Sequence, residues 1–562
     1  MAGHRPHSAA PVGRVTGGAR RSIRLTWCGR AAAVLAVVTC TDPAPTTTGR
    51  DSPPVPGGAP RRALSSFGEG GVPVSNPGKW AASLDWPHVA IHMHLLPNGK
   101  VLTWPGEEHS GRGHKEGQDA SVWDPVTGAR QSVPNLRTDI FCSGHTLLPD
   151  GRVFVAGGHY SEFEGSRDIN VFDGKTAKWS RETQMNAGRW YPTAITLGNG
   201  DVLVAGGTTE SAQQNMVAQV WRPRGGWRSL TTAQGSLPYY PWMFVAPDGR
   251  VFYAGPSSAQ TGYLDVNGTG RWDLASGSFP VDAAMEGEGA VREYGSAVML
   301  DGVVLRMGGG GWSNKRRVEV TPITNTAEII DLRDPKNVAA PAWVPMASMK
   351  HARRHMTAVA LPDGKVLVVG GTPQHGGHIA GSFASAVKIP EIYDPAAKVW
   401  TDGAPMATAR LYHSTATLLP DGRVLVAGGG APAPPNVPDN RDAEIYSPPY
   451  LFDAAGNALP RPTIGAGAPA SIAYRQSFTV GVSYGPGVSP RGVGKVTLVR
   501  LGSVTHTFNA NQRLVSLAFT ESGGSVTITA PDNGNLAPPG HYMLFIVDKA
   551  GVPSVSKIVQ LL

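Results

Sequence analysis

The chain has 562 residues, enough for two or three domains, with 71 glycines, 48 prolines and only 16% charged residues. This composition favours a turn-rich β protein over a helical one. The formal net charge is +8, but no basic stripe is interleaved with aromatic residues, so the sequence predicts no nucleic-acid partner.

The N-terminus resembles an export signal. Residues 1–41 contain a basic stretch followed by the apolar run AAAVLAVV at 31–38, which is too short to cross a bilayer as a helix. Arg20-Arg21 is a weak twin-arginine signal, and Cys40 follows a threonine, which makes a poor lipoprotein box. We predict a secreted or cell-surface protein, with membrane association only through a lipid anchor or an uncleaved leader.

The next two segments differ sharply in pattern. Residues 42–71 are rich in Pro, Thr, Ser and Gly, which predicts a disordered linker. Residues 72–452 repeat one motif seven times, and LLPDGRVLVAGG at 418–429 is a clear copy: two strands, a tight turn and a Gly-Gly pair. The turn glycines are Gly99, Gly151, Gly200, Gly249, Gly302, Gly364 and Gly422. A period near 50 residues with these features fits the kelch repeat, so we predict an all-β seven-bladed kelch β-propeller.

The C-terminal segment 453–562 has short alternating strands without this repeat, which predicts an immunoglobulin-like β-sandwich. It contains the motif SVTHTFNANQR at 503–513. On its own, His506 within that motif would be interpreted as a surface residue.

The repeat also indicates which side chains share a position. Nine residues before a turn glycine, at the start of the predicted innermost strand, lies a "repeat position" occupied by Cys142, Tyr191, Tyr240, His355 and His413, with Tyr412 one residue earlier. We therefore expect a thiol, phenols and imidazoles at one end of the propeller axis. Cys142 is the only cysteine outside the leader, which excludes a disulfide framework. A lone thiol is usually buried and inert, but its place beside Tyr191 favours a chemical use.

Four motifs carry a resemblance to a known family. They are DIFCSGHTLLPDGRVFVAGG around Cys142, GRWYPTAITL around Tyr191, RLYHSTATLLPDGRVLVAGGG around Tyr412-His413, and THTFNANQR around His506. In this order and spacing, across roughly residues 72–562, they resemble the copper radical oxidases. The likeness is to galactose oxidase and, more closely, to the glyoxal oxidase and bacterial glycolaldehyde-oxidising branch.

The resemblance implies a role for each residue. Tyr191 would be an equatorial ligand of one copper ion, joined to Cys142 by a thioether bond, and would hold a radical. His413 and His506 would be the other equatorial ligands, with His506 on a loop of a galactose oxidase-like early-set domain that enters the propeller channel. Tyr412 would be the axial ligand and the base. Independently of the resemblance, imidazole and oxygen donors suit Cu(II), and an open coordination position indicates catalysis.

The implied reaction is oxidation of a small aldehyde or primary alcohol, similar to glyoxal or glycolaldehyde, with O2 giving H2O2. We expect a monomer. The alternative that the repeats leave open is a non-catalytic kelch scaffold that binds a protein or a cell-surface glycan. The scaffold offers no reason to gather Cys142, the two tyrosines and the two histidines.

One departure concerns a tryptophan. Galactose oxidase places a tryptophan over the thioether, two residues after the Gly-Gly pair of the radical blade. Here Gly206-Gly207 leads to Thr208-Thr209 instead. We hypothesise that Trp312, in GGGGWSN, shields the radical from a neighbouring loop; the alternative is that it packs between blades. Thr209, and the lack of an N-terminal carbohydrate-binding domain, favour a small substrate over galactose.

The remaining polar candidates have less specific interpretations. His145 either orients a ligand or is a hydrogen-bonded histidine of an inner strand. Tyr240 and His355 are expected at the substrate mouth. His92, His94, His375 and His378 are expected on the surface or in loops, with the last two at the rim of the active face.

Overall fold

Each copy of the motif forms four antiparallel strands. The computed structural model describes residues 76–106, 119–256, 261–274, 292–313, 318–319, 321–375, 380–430, 438–465 and 467–562. Within these ranges there are seven such four-stranded groups, which we number sheets 1 to 7. The predicted export signal (1–41) and linker (42–71) lie outside the described residues.

Sheets 1 to 4 follow one another along the chain. Sheet 1 consists of His92–Leu95, Val101–Trp104, Ser121–Trp123 and Arg130–Ser132. Sheet 2 consists of Gly144–Leu147, Val153–Ala156, Ile169–Asp173 and Lys178–Glu182. Sheet 3 consists of Thr193–Thr196, Val202–Ala205, Val217–Arg222 and Gly226–Gln234. Sheet 4 consists of Trp242–Val245, Val251–Gly255, Gly262–Asp265 and Arg271–Leu274.

Sheets 5 to 7 complete the repeats. Sheet 5 consists of Ser296–Leu300, Val303–Met307, Ala327–Asp331 and Val344–Met346. Sheet 6 consists of Arg354–Ala360, Val366–Thr372, Glu391–Asp394 and Val399–Asp402. Sheet 7 consists of Ser414–Leu418, Val424–Gly428, Asp442–Ser447 and the early strand Lys79–Trp80, with Leu84–Asp85 also paired to it. Sheet 7 therefore joins the first described strand to the last repeat.

Few other elements interrupt the sheets. Two short hairpins are formed by His159–Ser161 with Glu164–Gly165, and by Trp312–Ser313 with Val318–Glu319. Among the described residues, the helices are Pro335–Ala339, Ala380–Ala384 and the 3-10 turn Pro449–Leu451. In the described part of the chain, no helix is both long enough and apolar enough to cross a membrane.

The predicted tight turns are confirmed. All seven turn glycines have φ between 78° and 93°, the left-handed region that glycine adopts without steric strain. In sheet 2, Leu148 N–H donates to Arg152 O at 2.9 Å, which closes a three-residue loop with Gly151 in the left-handed position. Sheet 5 is the exception: Leu300 pairs with Val303, so its loop is one residue shorter.

Buried arginines fix the segment that precedes the first strand of four sheets. Arg189, Arg292, Arg353 and Arg410 each donate from Nη1 to the first carbonyl of a Gly-Gly pair, at 2.8 to 3.1 Å. Three of them also pair with a glutamate: Glu328, Glu391 or Glu444. Because each arginine lies two or three residues before the left-handed residue described below, it ties that residue to the end of the second strand.

The C-terminal strands are joined to the repeats by sheet pairing. They are Thr463–Ile464, Ser471–Ile472, Ser477–Ser483, Val493–Arg500, Ser503–Thr505, Phe508–Asn509, Arg513–Ser516, Phe519–Ser522, Ser525–Thr529, Gly540–Asp548 and Lys557–Leu561. Two sheets share an apolar core that includes Val480, Leu498 and Ile528. One of them continues from sheet 5 through the parallel pairing of Met299 with Arg513.

A hairpin of this region reaches into the repeats. We call Ser503–Asn509 the "histidine hairpin", since it carries His506. Its first strand pairs with the first strand of sheet 1, His92 opposite Thr505, and contacts the first strands of sheets 2 and 7. Its second strand contacts the first strands of sheets 5 and 6. The hairpin therefore lies where the first strands of five sheets meet.

Candidate metal centre

The repeat position has an unusual backbone conformation. Cys142, Tyr191, Tyr240, His355 and His413 all have positive φ, between 46° and 66°. In sheet 5 the equivalent residue is Tyr294 (φ 52°), one place closer to its turn glycine because the loop is shorter. Left-handed non-glycine residues cost about 1–3 kcal/mol each and concentrate at functional sites. Main-chain hydrogen bonds link these positions, with Tyr191 N–H donating to Cys142 O at 2.8 Å.

Four polar rings meet beside this position. The hydroxyl oxygens of Tyr191 and Tyr412 are 2.7 Å apart. The His506 ring centroid lies 4.6 Å from that of Tyr191 and 5.0 Å from that of His413. His413 in turn lies 3.8 Å from the Tyr412 ring. The structure thus brings together Tyr191, Tyr412, His413 and His506 from sheet 3, sheet 7 and the histidine hairpin.

The tautomer of His506 follows from its hydrogen bonds. Thr505 Oγ1 donates to Ile91 O at 3.1 Å, so it accepts from His506 Nδ1 at 2.7 Å. Nδ1 then carries the ring proton, and Nε2 presents its lone pair. Nε2 is buried and has no hydrogen-bond partner among the described residues. This is the arrangement of a metal-binding histidine whose other nitrogen is held by a neighbouring oxygen.

Burial governs the charge of the centre. Tyr191, His413 and His506 are each 3% exposed, whereas Tyr412 is only half-buried. Burial, with a further contribution from His145, lowers the pKa of His506 to about 3, so its imidazole is neutral, as metal ligation requires. Burial and the nearby Tyr412 raise the pKa of the Tyr191 phenol well above its usual value. Ionising this phenol therefore calls for a cation beside it.

These donors fit copper better than a carboxylate- or thiolate-binding metal. Among the described residues, no group of three or more His, Cys, Asp or Glu side chains is arranged to hold a metal ion. The centre instead offers two imidazoles and two phenols. Such a nitrogen and oxygen set is typical of Cu(II).

Cys142 and Tyr191 share one buried cluster. Cys142 is fully buried and belongs to the same apolar cluster as Val89, Ile91, Phe141, Trp190 and Tyr191. The Trp190 indole stacks on the Tyr191 ring, with centroids 3.8 Å apart and planes 7° apart. We missed Trp190 in the sequence, although it immediately precedes Tyr191. The side chain of Trp312 is not among those described, so its predicted shielding role stays a prediction; its backbone pairs with Glu319.

Two histidine interpretations were wrong. His92 and His94, expected on the surface or in loops, are fully buried in the first strand of sheet 1 because the histidine hairpin covers that strand. His92 stacks on Trp104 and lies 3.1 Å, Nδ1 to Nε2, from His145. His145 also bonds Ser503 Oγ through Nδ1 at 2.8 Å, so it is the hydrogen-bonded inner-strand histidine of the second interpretation.

The half-buried side of the centre is lined by residues of sheets 5 and 6. Tyr294 and His355 flank Tyr412 at centroid distances of 5.6 and 5.4 Å. Arg354 packs over Tyr294, bonds His375 and pairs with Glu293 at 3.0 Å. Tyr240 and His355, both expected at the substrate mouth, are buried, and the Tyr240 ring lies 4.7 Å from that of Tyr191. His378 lies outside the described residues.

Comparison with known proteins identifies relatives of this chain. The model "Glyoxal oxidase N-terminus" matches residues 122–265 and 297–450, and "Galactose oxidase-like, Early set domain" matches residues 461–561. Galactose oxidase of Gibberella zeae is 30% identical over 516 residues, covering 87% of this chain and 71% of its own. The aldehyde oxidase GLOX of Vitis pseudoreticulata is 29% identical over 470 residues, 76% of this chain and 82% of its own. A solved fungal alcohol oxidase of the AA5 family, in complex with copper, aligns at TM-score 0.74 and 27% identity, covering 86% of this chain and all of that one.

The nearly all-β fold and these relatives define an oxidoreductase that acts on an alcohol or an aldehyde. More narrowly, the chain belongs to the copper radical oxidase family, with galactose oxidase and glyoxal oxidase.

Proposed function

We propose that the protein is an exported mononuclear copper radical oxidase that oxidises a small aldehyde or primary alcohol and reduces O2 to H2O2. The observation that carries the proposal is the 2.7 Å approach of the Tyr191 and Tyr412 hydroxyls beside two buried imidazoles. Copper chemistry in the solved alcohol oxidase and the substrates named for the relatives support the same assignment.

Tyr191, Tyr412, His413 and His506 would hold one copper ion, and Cys142 would form a thioether bond with Tyr191. When bound, copper would supply a one-electron acceptor next to the phenol that holds the radical. The packing of Cys142 with Tyr191 in one buried cluster supports the cross-link. The stacked Trp190 indole covers the Tyr191 ring and keeps water from it.

Tyr412 and Tyr191 would have different roles in oxidation of the substrate. Tyr412 is the half-buried member of the set, so its oxygen can take the hydroxyl proton of an incoming alcohol or hydrated aldehyde. The Tyr191 radical would then take a hydrogen atom from the carbon that bears this hydroxyl. The substrate loses two electrons and two protons in all, which O2 accepts as H2O2.

A small substrate suits the surroundings of Tyr412. Tyr294 and His355 stand against its ring, and Arg354, which pairs with Glu293, lies over Tyr294. This crowding supports a glyoxal- or glycolaldehyde-like molecule over a large glycan.

The wider architecture is part of the proposal. Sheets 1 to 7 would close into a seven-bladed kelch propeller over 72–452, with the Lys79–Trp80 strand joining the ends in sheet 7. Residues 453–562 would form the early-set domain that supplies His506. Export through residues 1–41 would place a monomeric enzyme outside the cytoplasm.

The cross-link provides the decisive test. Protein loaded with copper in air should migrate differently from copper-free protein on a denaturing, reducing gel, and Cys142→Ser should abolish the difference. The loaded protein should also release peroxide with glycolaldehyde or glyoxal. Identical mobility together with no peroxide from any small aldehyde or alcohol would favour the non-catalytic scaffold.

A further inference from the structure

The Trp190 indole is surrounded by three aromatic rings and a histidine. Its face stacks on Tyr191, while Phe163 and Tyr239 lie at centroid distances of 5.2 and 4.9 Å. Its Nε1–H donates to His159 Nδ1 at 3.2 Å. His159 is buried, and neither the repeat position nor the metal ligands account for its presence there.

The backbone around this pair leaves it little freedom. His159 begins the short hairpin that folds over Arg189-Trp190, with Arg189 N–H donating to Ser166 O at 2.9 Å. Trp190 and Thr208 exchange two main-chain hydrogen bonds, at 2.8 and 3.0 Å. Before the hairpin, a Cβ on Gly157 would lie 2.2 Å from Arg189 O, so only glycine allows this approach.

We propose that His159 is a positioning residue of the radical centre: by accepting the Trp190 N–H, it holds the indole parallel to Tyr191 and stabilises the oxidised ring pair. This inference deepens the proposed function and rests on it. Because Nδ1 accepts, the neutral ring carries its proton on Nε2.

The stabilisation is selective for the oxidised state. With copper bound, Tyr191 would be held as the phenolate. When this phenolate loses one electron to a one-electron oxidant such as ferricyanide, rings stacked at 3.8 Å share the electron deficiency. An electron-poor indole is a stronger N–H donor, so its bond to His159 strengthens, while the proton stays on the indole and no covalent bond changes. Only an interaction stronger in one state than in the other shifts the equilibrium, so His159 should lower the potential of the radical.

The test compares His159→Phe, which keeps a ring but no acceptor, with His159→Asn, whose Oδ1 can occupy the place of Nδ1. The copper-loaded, cross-linked proteins are titrated with ferricyanide while the visible absorption of the radical is followed. We expect His159→Phe to lower the ratio of radical to reduced protein, at a fixed oxidant ratio, by up to about tenfold, because a hydrogen bond from an electron-poor donor is stronger than a neutral one by about that much. His159→Asn should recover most of the lost radical. As a control, His541→Phe, at a residue that lines a groove with Gly151, should give the same ratio as the wild type.

A double-mutant cycle separates positioning from general damage. In a Trp190→Phe background, which lacks the donor, His159→Phe should have no further effect on the radical. An unchanged radical equilibrium in His159→Phe, or equal and additive losses in the cycle, would overturn the role of His159 while leaving the oxidase assignment intact. A wild-type protein that is never cross-linked and forms no radical would overturn both.

Discussion

The centre is assembled from two regions that deliver their side chains in different ways. Cys142, Tyr191 and His413 come from the repeat position in three sheets, and their φ angles agree within 6°. His506 comes from the histidine hairpin, where it and Thr507 have φ of 45° and 76°. The repeat places side chains at equivalent positions in successive sheets, and the histidine hairpin adds the second imidazole. Most of the centre is therefore encoded locally, whereas its completion depends on long-range docking.

The largest effects should follow from removing one imidazole on each side of this comparison. His413→Ala and His506→Ala should each weaken copper binding more than about 100-fold. Mutating a residue that only hydrogen-bonds to a metal ligand already lowers affinity about 10–100-fold, and loss of the ligand itself should lower it further. Oxidase activity should fall to background in both. Copper content after dialysis measures the effect, with His541→Ala as the control. Retention of stoichiometric copper by either variant would show that its imidazole is not a ligand.

Tyr412 distinguishes chemistry from metal binding within the repeat region. Tyr412→Phe keeps the ring beside His413 but removes the oxygen that lies 2.7 Å from the Tyr191 hydroxyl. We expect kcat to fall about 10²- to 10⁴-fold, the usual contribution of a general base. The cross-link should still form, since Cys142 and Tyr191 are untouched. A variant with near-normal kcat would mean that another group takes the substrate proton.

On the hairpin side, Thr505→Val tests how the ligand is oriented. The substitution keeps the shape but removes the oxygen that holds His506 Nδ1 at 2.7 Å. Copper affinity should fall about 10–100-fold while the fold is retained. Thr527→Val, at an exposed threonine in a C-terminal strand, should change nothing. Equal affinities of both variants would show that packing alone orients the imidazole.

These two regions also explain what could be predicted from the sequence. The repeat position could be predicted because the hairpin loops have a constant length. Residues at the same distance from the turn glycine therefore occupy equivalent positions in their sheets. Counting nine residues from the turn glycine does not identify Tyr294, because the loop of sheet 5 is one residue shorter. His92 and His94 were misplaced because the strand that covers them lies far along the chain; Thr505 bonds Ile91 from 414 residues away. No local pattern encodes a contact of that kind.

Trp190 was missed for a related reason. Its stacking depends on the left-handed turn at Tyr191 and on the hairpin at His159, neither of which periodicity reveals. Trp190→Phe should shorten the lifetime of the radical about 2- to 10-fold, the range of an aromatic stacking energy. If Trp190 is the shield, Trp312→Phe should leave the lifetime unchanged. The opposite ranking, measured from the decay of the radical absorption, would support the prediction that Trp312 shields the radical.

The last comparison concerns stability in acid rather than activity, because both regions bury neutral imidazoles. Burial lowers the pKa of His145, in sheet 2, to about 3, as it does for His506 in the hairpin. Between the ordinary histidine pKa of about 6.5 and that value, the unfolded chain binds protons that the folded chain does not. The free energy of unfolding should therefore fall as pH decreases through this window, approaching about 1.4 kcal/mol per pH unit for each imidazole. Urea unfolding of copper-free protein at several pH values should show a shallower slope for His145→Gln, which removes one such group. An unchanged slope would mean that His145 is protonated in the folded protein, and the Ser503–His145–His92 hydrogen bonds would have to be reassigned.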